Sequence, residues 1–124
     1  MNNYEFSHKK RVVSRNSKLY ILVILREDDL IVQITGRIDG IEGEGDSRIL
    51  IETKNRRNRL FNEIRMYERV QMTIYMKMTG ITSSKLLEYY NDEEGVLDLD
   101  YDEDLWNEIN KKLLDFKDSI IQSL

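Results

Sequence analysis

The chain of 124 residues contains no cysteine and no proline, and it has a single histidine (His8) and a single tryptophan (Trp106). Without cysteine there are no disulfides, zinc–thiolate centres or cysteine-held iron–sulfur clusters. Any resident metal must be held by Asp, Glu, His or backbone oxygen, a donor set that suits hard ions such as Mg2+ or Mn2+. Long apolar runs are also missing. No stretch approaches the roughly 20 residues of a membrane-spanning helix, and the N-terminus carries no apolar signal core. The expected location is therefore intracellular: cytoplasmic, or nuclear in a eukaryotic or viral setting. Gly-rich phosphate loops, nucleophile elbows, Ser- or Cys-centred triads, internal repeats and linker-like tracts are absent as well.

A hydrophobic content of 40% and a charged content of 34% describe one globular domain with a heavily charged exterior. The expected organisation is a single domain over residues 1–124, with a core over about 8–90 and an acidic hairpin and helix over 91–124. Its net charge of −4 hides an asymmetry. Residues 1–87 carry 16 Lys/Arg against 11 Asp/Glu, whereas residues 88–124 carry 3 against 12. The basic part is the one suited to nucleic acid, and the acidic part reads as a solvated helix and hairpin.

Residues 2–17 are polar and basic and read as the frayed end of a helix. Leu19–Leu25 is an apolar, β-branched run that predicts a buried strand, and Glu27-Asp28-Asp29 turns it back into a second strand over Leu30–Thr35. Ile41–Asp46, with two glycines, predicts a turn. Arg48–Lys54 is the third strand, its Ile49-Leu50-Ile51 run fit for a sheet centre. From Asn58 to Met78 the spacing becomes helical, with Phe61, Ile64, Tyr67, Gln71, Ile74 and Met78 on one face and Gly80 as the stop. Lys85–Tyr90 and Val96–Tyr101 predict two more strands. Asp102-Glu103-Asp104 opens a last helix to Gln122, with Trp106, Ile109, Leu113, Phe116 and Ile120 as its apolar stripe. The order is β-β-β-α-β-β-α, an α/β (α+β) class with a sheet packed by two helices.

Within this framework one constellation carries chemistry. Residues two apart on a strand share a face, so Glu52 and Lys54 project together. Asp39 ends the run Gly36-Arg37-Ile38-Asp39, thirteen positions before Glu52. A hairpin turning near Glu44 brings the two acids opposite one another. Converging carboxylates are costly unless a cation compensates them, and a neighbouring lysine is placed to hold or activate an attacking water. Taken alone, Glu52 and Lys54 would be an ordinary edge-strand pair and Asp39 a turn residue. Gln71 and Tyr75, four apart, share a face of the following helix. Alone they would be a surface glutamine and a core tyrosine.

Together G-x-x-D, E-x-K and Q-x-x-x-Y resemble the PD-(D/E)xK nuclease superfamily. The resemblance is narrowest to its RecB-like branch, the RecB/AddB and CRISPR-associated RecB-like exonuclease domains, and it spans roughly residues 8–90. It implies a restriction-endonuclease-like mixed β-sheet flanked by helices and a Mg2+- or Mn2+-dependent deoxyribonuclease acting in DNA repair or recombination. Exonuclease or flap-type processing is the implied activity. The alternatives are a non-catalytic nuclease-fold module that binds DNA or protein, and a junction-resolving endonuclease, which would require a dimer. By the same resemblance Asp39 and Glu52 ligate the metal with the Thr53 carbonyl and His8. Lys54 orients or deprotonates the water, Gln71 bonds near the lysine, and Tyr75 touches the strand being cut. Arg56, Arg57 and Arg59, directly after Lys54, are expected on neighbouring phosphates, or on a solvated loop. Glu5 is an alternative acid, and Lys9, Lys10, Arg11 and Arg15 a second basic cluster. Implied partners are DNA, single-stranded or at an end or flap, and a helicase or other protein, with the chain a monomer or homodimer and no membrane contact.

Overall fold

The computed structural model of the protein describes residues 13–15 and 19–123. Its strands are β1 (Val13–Arg15), β2 (Leu19–Glu27), β3 (Leu30–Arg37), β4 (Gly40–Glu42), β5 (Ile49–Asn55), β6 (Ser83–Tyr90) and β7 (Glu93–Asp100). Helix α1 (Met66–Thr79) lies between β5 and β6, and α2 (Glu103–Ser123) follows β7. Five strands form one mixed sheet in the order β1-β4-β5-β6-β7, and β2 and β3 form a separate two-stranded ribbon. β5 is thus the middle strand, as its continuous apolar run predicts. It pairs in parallel with β6, the only parallel pairing among the described strands, and α1 provides the long crossover that such a pairing requires.

Side chains alternate along β5. Leu50 packs with Ile38 and Ile81 against Tyr20, Ile41 and Tyr75, whereas Ile51 packs with Leu87 in a different cluster. Met72 and Met76 of α1 close on Leu86 and Leu99 of the sheet, which fastens α1 to it. Gly80 caps α1 in the left-handed conformation at φ 74°, its N–H donating to the Met76 carbonyl, as expected of that glycine.

Several expectations are corrected. Residues 13–15 are strand, not helix, and pair antiparallel with β4. The predicted turn over Ile41–Asp46 begins later, because Gly40–Glu42 is β4, bonded on both sides. The reversal is made at Gly43 (φ 87°), where a Cβ would meet the Ser47 carbonyl oxygen at 2.8 Å. Strands β2 and β3 do not join the main sheet. The helix predicted from Asn58 starts at Met66, since the preceding segment is held open from outside. Glu88 accepts hydrogen bonds from Phe61 N–H at 3.0 Å and Asn62 N–H at 3.1 Å, with Asn62 at φ 56°.

The buried face of α1 also differs from its apolar spacing. Tyr67 is 63% exposed while Glu68 is fully buried, because an ion pair turns the acid inward. On α2 the stripe is buried at Trp106 and Ile109, but Phe116 and Ile120 are exposed. The 21-residue α2 outlasts its 14-residue neighbour α1. No helix among the described residues is long and apolar enough to cross a membrane.

Candidate active site

The site is assembled where β3 gives way to β4. Ile38 is buried in the core and anchors the chain, and the next residue, Asp39, lies in the bend that leads into β4 and is exposed. Gly40 pairs with Ile51 in the antiparallel β4–β5 register, which sets Asp39 across from Glu52, as the hairpin spacing predicts. Asp39 Oδ2 accepts a 2.8 Å hydrogen bond from the Thr53 N–H and is fastened to β5 by it.

Glu52 shares the face of Leu50 and is only 4% exposed. Its Oε1 is buried and has no hydrogen-bond partner among the described residues. Burial, and secondarily the charge of Asp39, push its carboxyl up from 4.5 to about 8, with Lys54 and a hydrogen bond from the Asp39 backbone pulling the other way. Lys54, two residues on, donates from Nζ to Gln71 Oε1 at 3.4 Å. Gln71 Nε2 in turn donates to the Tyr75 hydroxyl at 3.2 Å. The Tyr75 ring lies against the ribbon, where a Cβ on Gly36 would stand 2.8 Å from its Cε1. The glycine of G-x-x-D therefore has a physical role: it leaves room for the tyrosine of Q-x-x-x-Y.

Asp39, Glu52, Thr53, Lys54, Gln71 and Tyr75 are thus linked through β4, β5 and α1. Two carboxylates and a nearby backbone carbonyl are hard oxygen donors, and the unmatched Glu52 Oε1 is the kind of buried acceptor that a small divalent cation satisfies. Among the described residues no group of three or more His, Cys, Asp or Glu side chains converges. His8, expected as a further ligand, lies outside the described residues, as do Glu5, Lys9, Lys10, Arg11 and the side chain of Arg15.

Arg56 departs from expectation. Its side chain is 6% exposed and its guanidinium is bonded to Glu68 Oε2 at 2.8 Å and to Glu88 Oε1 at 2.9 Å. It also covers the Phe61 ring at 3.8 Å. The fork is consumed inside the fold, so the expected phosphate contact is corrected to a structural ion triad. Arg57 and Arg59 are exposed; Arg59 donates to the Leu60 carbonyl at 2.9 Å. Spacing does not single out Glu68 or Glu88. A signal for Glu88 existed, since an acid interrupts the apolar run Leu86-Leu87-Glu88-Tyr89-Tyr90. Glu68 carried no comparable mark on a helix rich in charge.

No family model matches this sequence, and no curated protein matches it. Similar solved structures do exist. One is an alkaline exonuclease (LHK-Exo) from Laribacter hongkongensis, with a TM-score of 0.68 and 18% identity, covering 97% of this chain and 62% of that one. Another is SSO0001, with a TM-score of 0.65 and 17% identity, covering 90% of this chain and 51% of that one. The chain spans about half to three-fifths of the length of these structures. At such identity the likeness is one of fold: a restriction-endonuclease-like mixed sheet flanked by helices, shared with an exonuclease.

Proposed function

We propose that this protein is a Mg2+- or Mn2+-dependent nuclease that hydrolyses phosphodiester bonds in DNA, of the RecB-like exonuclease or flap-processing type. The observation that carries the reading is Glu52. A buried carboxylate with an unpartnered oxygen, beside a second acid and a lysine, costs free energy in the absence of a cation, and it lies on a fold shared with an alkaline exonuclease.

Asp39 and Glu52 would hold the ion, with the Thr53 carbonyl beside them and His8 as a further candidate. When bound, such an ion polarises a phosphoryl oxygen and eases ionisation of water. The remaining roles belong to the protein's own groups. Asp39, tied to the Thr53 N–H, keeps its carboxylate fixed against β5. Lys54, steered by Gln71, presents an ammonium that orients the attacking water and offsets negative charge on the phosphate. Tyr75, bonded to the same glutamine, borders the path of the strand being cut. Arg57 and Arg59, exposed just beyond β5, supply phosphate contacts. DNA, single-stranded or at an end or flap, is the proposed substrate; a helicase partner and a monomer or homodimer are consistent with it.

The test uses purified protein with single- and double-stranded DNA, with and without Mg2+ or Mn2+, beside Lys54→Ala. Cleavage that needs metal and falls by about 10²-fold or more in the variant is the expected result, in line with loss of a positioned charge that stabilises the transition state. One observation favours a second reading, a non-catalytic nuclease-fold module: the described residues bring no third metal-binding side chain to the two acids. DNA binding without cutting, unchanged by Lys54→Ala, would establish that module instead.

A further inference from the structure

Lys54 has two possible acceptors on α1. Gln71, which holds it, stands three residues from Glu68, so the two side chains are neighbours on one helix face. Glu68 is the stronger attractor for an ammonium because it is charged and fully buried. Lys54 already acts on it, adding to the influences that keep the Glu68 carboxyl below its ordinary value. Yet Nζ is bonded to the neutral amide. The reason lies two residues along the chain, where Arg56 fills both Glu68 oxygens, with NH1 on Oε2 at 2.8 Å and NH2 on Oε1 at 3.3 Å.

The same guanidinium reaches Glu88 through Nε at 2.9 Å. Glu88 faces Lys54 in the parallel β5–β6 register and fastens the loop before α1 through Phe61 and Asn62. The Arg56 N–H extends the pairing of β5 by bonding the Tyr89 carbonyl at 2.8 Å. At the start of α1, Glu68 Oε1 also accepts the Arg65 N–H at 3.0 Å. Arg56 therefore joins β5, β6 and the first turn of α1 at one point, beside the lysine.

We propose that Arg56 is a positioning residue for Lys54: by occupying Glu68 and Glu88 it keeps the Lys54 ammonium on Gln71 and denies it the charged acceptor on the same face of α1. Only the consequence for cleavage rests on the nuclease reading; the placement of the ammonium does not.

The test compares two variants that both lack the arginine. One carries Arg56→Met and Glu88→Gln and retains Glu68; the other adds Glu68→Gln. Crystal structures of both are expected to show Nζ on the Glu68 carboxylate in the first and on Gln71 in the second. Metal-dependent cleavage is expected to be at least tenfold slower in the first. A purely structural role for Arg56 would affect both variants alike. Nζ remaining on Gln71 in both, or equal variant rates where the native protein cuts DNA, overturns the proposal. If neither variant nor the native protein cuts DNA, the nuclease reading fails while the crystal structures still decide the position of Lys54. Where the methionine variant does not fold, Arg56→Gln makes the same comparison, since it donates a hydrogen bond to Glu68 without neutralising it.

Discussion

Replacing Glu52 with glutamine should flatten the dependence of stability on pH. In the folded protein without a cation this carboxyl holds its proton up to about 8, whereas in the unfolded chain it ionises near 4.5. The folded state therefore binds the extra proton between those values, and stability falls as pH rises through that window. Each pH unit is worth about 1.4 kcal/mol, so the full window amounts to on the order of 5 kcal/mol, an upper limit because water entry and side-chain relaxation soften it. Below pH 4.5 the contribution is fully present. Urea denaturation at pH 5, 6.5 and 8, in chelator and in millimolar Mg2+, measures it for the native protein and for Glu52→Gln. The native protein should weaken toward pH 8 in chelator and recover with Mg2+, since a cation bound only by the folded state stabilises it. Glu52→Gln should show neither effect. Parallel pH profiles for the two proteins, or equal stabilisation of both by Mg2+, would refute the reasoning.

Two further outcomes follow from other contacts. Gly36→Ala places a methyl 2.8 Å from the Tyr75 ring, so it should destabilise by about 1–3 kcal/mol in thermal or chemical unfolding. In a Tyr75→Ala background the penalty should vanish; an undiminished penalty there would show that the ring is not its cause. Burial alone would raise the Glu68 carboxyl, but hydrogen bonds from Arg56 and the Arg65 N–H outweigh it and hold it below its ordinary value of 4.5. This contribution is complete above the unfolded value and is lost as pH falls through the folded one. Glu68→Gln, although less stable at neutral pH, should therefore lose less on acidification than the native protein.

The parts of the fold legible in the sequence are those governed by short-range pattern. The run Ile49-Leu50-Ile51 is apolar on both faces because β5 is covered on both, and that marks a central strand. The period of two alone puts Glu52 and Lys54 on one side, and a tight reversal after Asp39 puts that acid opposite. What the pattern hides is decided by partners far along the chain. Residues 58–65 have helical spacing, yet two of their N–H groups are taken by Glu88, more than twenty residues later. Arg56 sits in a basic stretch that resembles a phosphate grip, and only the folded positions of Glu68 and Glu88 reveal that its charge is spent internally. Val13–Arg15 carries no strand signature of its own and is ordered by the edge of β4.

The parallel pairing of β5 with β6 also divides the site in time. Asp39 and Glu52 are joined by a short hairpin, whose ends can meet as soon as that stretch of chain is free to fold. Lys54 gains Gln71 only after α1 has formed and docked, and Arg56 gains Glu88 only after the chain has crossed back to lay β6 beside β5, a slower long-range closure. On a chain growing from its N-terminus, the two acids can come together before the groups that steer the lysine exist. A half-made chain would carry the two acids and a lysine not yet steered, and the crossover strand is the step that makes the site complete.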